Sequence, residues 1–229
     1  MTNSTVIFAK RSLSLSKIQA VTGIFLASFG IFILDIVSLL AKDASTSNGG
    51  VLASVGFMVY GMLMFAAPVF LLYVYDKNNG VLEYLLSLGW NQSGIFKRYL
   101  KAALFLALTL FIAEFAANVT VSVIAGTHAV ILLGLVVLAL TAALGFSAVS
   151  LVTVAMVAFS SLQKQRLGGN SPLALSLGVA IIFPTWVVSG LPFFVAASID
   201  LLIAAVVGVL SIVSLILSSR LIRREKMLP

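Results

Sequence analysis

The sequence predicts an all-α integral membrane protein of six transmembrane helices, with an N-terminal interfacial helix and a further short helix between spans two and three. Composition is the first reason. Of 229 residues, 61% are hydrophobic and 9% charged, whereas soluble domains carry about 45–50% apolar and about 25% charged residues. Mean hydropathy is +1.18. A compact body of this size has too few polar side chains to cover itself, which excludes a soluble enzyme, a disordered tail and a disulfide scaffold. The second reason is the recurrence of apolar runs near the 20 residues that cross about 30 Å of hydrocarbon. The third is that the Lys and Arg residues fall almost wholly on one side of those runs.

The runs place spans at roughly 18–41, 51–75, 101–125, 129–160, 172–191 and 197–219, within one transmembrane domain covering 1–229. The first two are parted by Lys42, Asp43 and the polar stretch 45–50. The fourth is long enough to tilt or project. The fifth contains Pro184 and ends at Gly190-Leu191-Pro192, so a break near its outer end is expected.

Charge sets the orientation. Lys10, Arg11 and Lys17 precede the first span, and Lys77, Lys97, Arg98 and Lys101 lie between the second and third. Lys164 and Arg166 follow the fourth; Arg220, Arg223, Arg224 and Lys226 follow the sixth. Cytoplasmic loops collect basic residues, so both termini are expected in the cytoplasm of a cell that holds the chain in its plasma membrane. The apolar stretch after Lys17 exceeds the 7–15 residues of a signal-peptide core and reads as a retained helix. Ahead of it, residues 5–17 place Val6, Ala9 and Leu13 on one face and Lys10, Arg11, Ser14 and Lys17 largely opposite. That pattern suits a helix lying on the membrane surface, or else a basic flank that only enforces topology.

The informative loop is 76–100, DKNNGVLEYLLSLGWNQSGIFKRYL. It is too polar to span and too apolar for a solvated linker. Asn78-Asn79-Gly80 signals a turn. After it Val81, Leu82, Leu85 and Leu86 recur at helical spacing, with Glu83 and Ser87 four apart on another face. Gly89 is the expected stop, and Trp90 suits the headgroup region. A second short segment, 93–101, carries Lys97, Arg98 and Lys101 to the start of the third span, where phosphates attract them. The amphipathic helix is open to two readings: an interfacial anchor, or a docking element that presents Asp76, Glu83 and Asn91 outward.

This stretch resembles the segment after the second span in type-2 ABC transporter permeases. There the pattern runs from an acidic residue through Gly-Thr-Leu-Glu-x-Leu-Leu to a break and a helix ending in Lys. Asp76, Gly80, Val81, Leu82, Glu83, Leu85, Leu86, Gly89 and Lys101 follow it, with Val81 where Thr is usual and Gly89-Trp90 where Pro is common. The resemblance implies that 76–100 is a coupling-helix loop whose docking residues are Asp76, Gly80, Val81, Leu82, Glu83, Leu85, Leu86 and Ser87. It also implies an interfacial helix at the N-terminus. Ser189, Gly190 and Pro192 match the outer re-entrant turn that precedes the family's sixth span. The implied partners are an ABC ATP-binding subunit, which binds ATP and Mg, and a second permease chain in a homodimer or heterodimer, all set in membrane lipid.

The chain itself has no glycine-rich Gly-Lys-Ser/Thr loop, so it holds no ATP in the P-loop manner, and it carries no nucleophile-elbow or zinc-helix motif. It has no cysteine and a single histidine, His128, which removes thiolate sites and any site needing two imidazoles. No catalytic residue, no metal, no cofactor in this chain and no nucleic-acid partner are expected. Glu114 sits near the middle of the third span, where an ionised carboxylate costs a few kcal/mol unless neutral, paired or hydrated. With Asn118 four residues on, it forms a candidate lining of a translocation path or a subunit seam, or a neutral acid bonded to a neighbouring helix. Asp35 and Asp200 fall toward the outer surface. Small residues at Gly23, Ala27 and Gly30, at Gly56 and Gly61, and at Gly134 and Gly145 leave room for close helix contact.

The leading expectation is a permease subunit of an ATP-driven exporter, coupling hydrolysis by a separate subunit to translocation. The alternatives are a proton-coupled secondary carrier using Glu114 and a non-transporting membrane assembly subunit.

Overall fold

The computed structural model describes residues 3–40, 48–125, 128–159 and 193–221, and every element among them is helical. In chain order these are α1 (Asn3–Leu15), α2 (Lys17–Leu40), α3 (Asn48–Asn78), α4 (Val81–Ser87), α5 (Gln92–Ala125), α6 (His128–Phe159) and α7 (Phe193–Leu221). Four of them contain windows long and apolar enough to cross a membrane: Lys17–Leu34, Ala53–Asn78, Gln92–Thr120 and Gly134–Val157. α7 is apolar over Leu201–Leu217. The expected fifth span at 172–191 lies outside the described residues, as does the turn at Ser189, Gly190 and Pro192.

The bundle is apolar outside as well as inside. Ile18, Phe25 and Phe32 on α2, Ile112 and Val123 on α5, and Leu202 and Ile216 on α7 are all exposed. An outer surface of this kind would drive aggregation in water and suits lipid. Four hydroxyls on the spans are satisfied within their own helices: Thr22, Thr109, Thr120 and Thr153 each donate to the carbonyl four residues back, at 2.7–2.9 Å. That removes the cost of an unpaired donor in hydrocarbon. The chain is a multi-pass membrane protein.

α2 and α3 are antiparallel neighbours whose backbones nearly touch. A Cβ built on Gly23 would stand 2.6 Å from the Phe65 amide nitrogen, and one on Gly61 would stand 2.8 Å from the Ala27 nitrogen. Gly30 packs in the same way against Ser54 and Met58. Small residues permit this approach because packing, and not water exclusion, holds helices together in lipid. α3 also packs on α6, where the Met62 sulfur fills the space left by Gly145 and the Met58 sulfur meets the Thr141 hydroxyl at 4.0 Å. α5 closes on α6 through Phe111 and Phe146, whose ring centroids are 5.7 Å apart. α7 runs along α6, burying Val207 and Ser211.

Two local details go beyond the sequence pattern. The short segment 93–101 is the first part of α5, which runs unbroken from Gln92 to Ala125. Nothing in that stretch interrupts it, and the Asn91 side-chain oxygen caps its start by accepting from the Ser93 N–H at 3.2 Å. On α1 Thr5, Ala9 and Ser12 are buried and Phe8 and Leu13 are half-buried against the core, while Val6, expected on one apolar face with Ala9 and Leu13, is exposed. The neighbours of α1 are the ends of α3 and α5, which turns Val6 and Ile7 outward.

Candidate functional site

The basic end of the bundle is held by a three-helix junction. Asp76 ends the apolar run of α3 and is buried. Arg11 of α1 donates to it through both terminal nitrogens, at 2.6 Å to Oδ1 and 3.4 Å to Oδ2. Tyr99 of α5 donates its hydroxyl to Oδ2 at 2.6 Å. One carboxylate therefore ties together three helices whose partners lie 65 and 23 residues away. Charge-assisted bonds of this length are about twice as strong as neutral ones. The Tyr99 ring is set by two edge contacts, to Phe8 of α1 at 5.4 Å and to Tyr73 of α3 at 5.2 Å. The Arg11 side chain remains 42% exposed, so solvent reaches its outer edge while the carboxylate stays dry.

α1 reaches this position because its stripe at i, i+3, i+4 and i+7 is made of small or flat residues. The buried Ser12 hydroxyl is satisfied by the Ala9 carbonyl at 2.7 Å. The chain breaks from regular helix at Ser16, and α2 starts at Lys17.

Directly beyond Asp76 lies α4. Gly80 adopts φ +70°, and its carbonyl accepts from the Tyr84 N–H at 2.9 Å to open the helix. Gly89 adopts φ +81° and closes it. The Gly89 N–H bonds to the Leu86 carbonyl and the Trp90 N–H to the Leu85 carbonyl, both at 3.1 Å. This paired arrangement is the Schellman motif. A side chain in the left-handed region costs about 1–2 kcal/mol, so glycine at both ends fixes where this helix begins and stops. Leu82 and Leu86 are buried, Val81 and Leu85 are half-buried, and Glu83, Tyr84, Ser87 and Leu88 are exposed. After the helix, the Arg98 guanidinium sits 3.7 Å from the Trp90 ring centroid, pinning the turn to α5.

The structure thus brings the residues expected to dock together on one segment but divides their tasks. Asp76 does not face outward: it is consumed by Arg11 and Tyr99 inside the junction. Gly80 supplies a backbone shape, and nothing stands within 4 Å of where its Cβ would be. The outward surface is carried by Glu83, Ser87 and their neighbours Tyr84 and Leu88. Arg11 and Tyr99 are functional candidates that periodicity missed. The available signal was an acidic residue closing an apolar run, which calls for a partner, but nothing local says which.

A second place stands deep in the bundle. Glu114 and Asn118 lie one turn apart on the inward face of α5, at 1% and 5% exposure, while Ile112, Phe115 and Val119 point outward. Asn118 packs onto α6 so tightly that a Cβ on Gly134 would fall 2.5 Å from its side-chain oxygen. Neither Glu114 oxygen has a hydrogen-bond partner among the described residues. The two residues therefore share an intrahelical face buried within the chain's own bundle. His128 begins α6 and Asp200 lies on α7. Among the described residues no three His, Cys, Asp or Glu side chains are grouped to hold a metal.

No protein-family model, curated protein or solved structure matches the chain.

Proposed function

We propose that the chain is the membrane-spanning subunit of an ATP-driven exporter, and that α4 is the element on which a separate ATP-binding subunit docks. The observation that carries this reading is the construction of α4. A helix of seven residues is defined at both ends by positive-φ glycines, exposes Glu83, Tyr84, Ser87 and Leu88, and sits against a junction that ties together α1, α3 and α5. Force applied to α4 has a short, hydrogen-bonded route into two of the long apolar helices. The resemblance of 76–101 to the coupling segment of type-2 ABC permeases supplies the kind of partner.

In this reading the basic end is cytoplasmic, the membrane is the plasma membrane, and six spans form the subunit. ATP and Mg belong to the partner. Closure of two ATP-binding subunits moves α4, and two permease chains shift between conformations. A shift of that kind requires α4 to make different contacts in the two nucleotide states. Glu83 and Ser87 are the polar contacts, Tyr84 and Leu88 the apolar ones, and Asp76 transmits the motion from inside.

The test is transport in vesicles with Glu83→Arg or Gly80→Val. Both variants are expected to insert normally, retain the partner's basal ATP hydrolysis and lose transport. Unchanged transport at equal expression would remove α4 from the mechanism.

A further inference from the structure

Glu114 stands out among the buried groups because no opposite charge faces it among the described residues. The described Lys and Arg side chains all lie at the basic end: Lys10, Arg11, Lys17, Lys77, Lys97, Arg98 and Lys101. Lys101, the one farthest along α5, is thirteen residues from Glu114, about 20 Å at 1.5 Å per residue. That distance is well inside a hydrocarbon layer of about 30 Å.

Its surroundings follow from the pairing of helices. α5 and α6 are antiparallel, with Phe111 against Phe146 and Asn118 against Gly134. Glu114 lies between the first members of those two contacts and Thr141 between the second, so the two stand at one depth. Thr141 is fully buried. The Glu114 carboxyl and the Thr141 hydroxyl share this depth, and the Asn118 side-chain oxygen lies about one turn farther along α5, beside Gly134. On α3, which runs beside α6 with Met58 at Thr141 and Met62 at Gly145, the titratable group at this depth is Tyr60. α2 has none between Lys17 and Asp35, and α6 has none after His128. α1 contributes only Lys10 and Arg11, the latter committed to Asp76.

We infer that Glu114, with Asn118 and Thr141, is an intramembrane binding site for a small monovalent cation, a proton or a sodium ion, taken up from outside the chain. Carboxylate, amide and hydroxyl oxygens are the ligands a hard cation selects. The space left by Gly134 is filled by the Asn118 side chain, which packs directly on α6. The inference is independent of the exporter reading: it holds whether ATP or an ion gradient drives the cycle. It gives the closed α5–α6 contact a role, as the seal that keeps the cation in place.

The test is modification of the purified full chain by dicyclohexylcarbodiimide, an apolar reagent for carboxyl groups. The carboxyl proton passes to one reagent nitrogen and the carboxylate oxygen bonds to the central carbon, giving an acylisourea located by peptide mass mapping. Wild-type chain and a Gly134→Ala variant, in which the added methyl displaces the Asn118 side chain, are compared, with Glu114→Gln as the unlabelled control. Labelling of Glu114 in either chain that slows about tenfold at sodium ten times its dissociation constant identifies a sodium site. Labelling that ignores sodium and slows only at a pH well above the ordinary carboxylate range identifies a proton site, and slowing within that range overturns it. The inference is overturned if Glu114 stays unlabelled in both folded chains, or is labelled at a rate indifferent to both sodium and pH.

Discussion

Replacing Arg11 with methionine removes the charge that holds Asp76 against α1 and leaves the methylene stem nearly intact. Stranding one member of a fully buried ion pair costs about 3–5 kcal/mol. Here the Arg11 side chain is 42% exposed and its second contact is long at 3.4 Å. Asp76 also keeps the Tyr99 hydroxyl at 2.6 Å. Solvent screening on the arginine side therefore lowers the figure to about 2 kcal/mol. Tyr99→Phe deletes one charge-assisted bond and should cost a similar amount, about 1.5–3 kcal/mol. Because both side chains act on one carboxylate, their effects are coupled. In an Asp76→Asn background each should fall to about 0.5 kcal/mol or less. The assay is trypsin cleavage after Lys10, which lies inside α1 and becomes cleavable when that helix opens from α3 and α5. When opening is fast relative to cleavage, the rate follows the open population. A loss of 2 kcal/mol raises that population about thirtyfold. Cleavage of the Arg11→Met chain at the wild-type rate, or an equal acceleration with Asp76→Asn already present, would refute the junction as the fastening of α1.

Three further outcomes follow from packing and backbone geometry. Gly61→Ala pushes a methyl to 2.8 Å from the Ala27 nitrogen and 2.9 Å from the Gly23 carbonyl oxygen. It should cost about 1–3 kcal/mol in detergent unfolding, while Gly94→Ala, with nothing within 4 Å, stays within about 0.5 kcal/mol. Gly89→Ala should destabilise α4 by about 1–2 kcal/mol through its φ of +81° alone, and Gly89→Asn by less; hydrogen exchange of the Trp90 amide reads both. Arg98→Gln removes the cation from the Trp90 face and should loosen the α4–α5 turn by about 0.5–1 kcal/mol, seen as faster exchange at Trp90 with the exchange of α6 unchanged.

The features legible in the sequence are those set by local pattern. Apolar runs long enough to cross a bilayer announce the long helices, and Gly80 and Gly89 announce the ends of α4, because a left-handed turn selects glycine. Gly23, Gly30, Gly61, Gly134 and Gly145 mark close approaches, though not the partner each one meets: Gly134 faces a side chain of α5, while Gly61 faces the backbone of α2. The junction was not legible. Asp76 looks like the first residue of a polar loop, and only the meeting of α1 and α5 beside it turns it inward. Likewise the start of α5 reads as a separate segment because Lys97, Arg98 and Lys101 interrupt the apolar pattern, yet charge on the outer side of a helix end does not break its hydrogen bonding. Glu114 was visible as an oddity of composition. Its lack of a partner among the described residues emerges only when α3 and α6 are seen to bring no cation to it.

The central claim is that α4 is a dock for an ATP-binding subunit. The most direct test is purification of the tagged full chain from its native host in gentle detergent, with copurifying proteins identified and quantified by mass spectrometry. The account predicts a P-loop ATPase in near-equal amount that is lost on combined Gly80→Val and Glu83→Arg substitution, with the chain still folded. A folded chain that carries no ATPase, or one that keeps it undiminished through both substitutions, would contradict it.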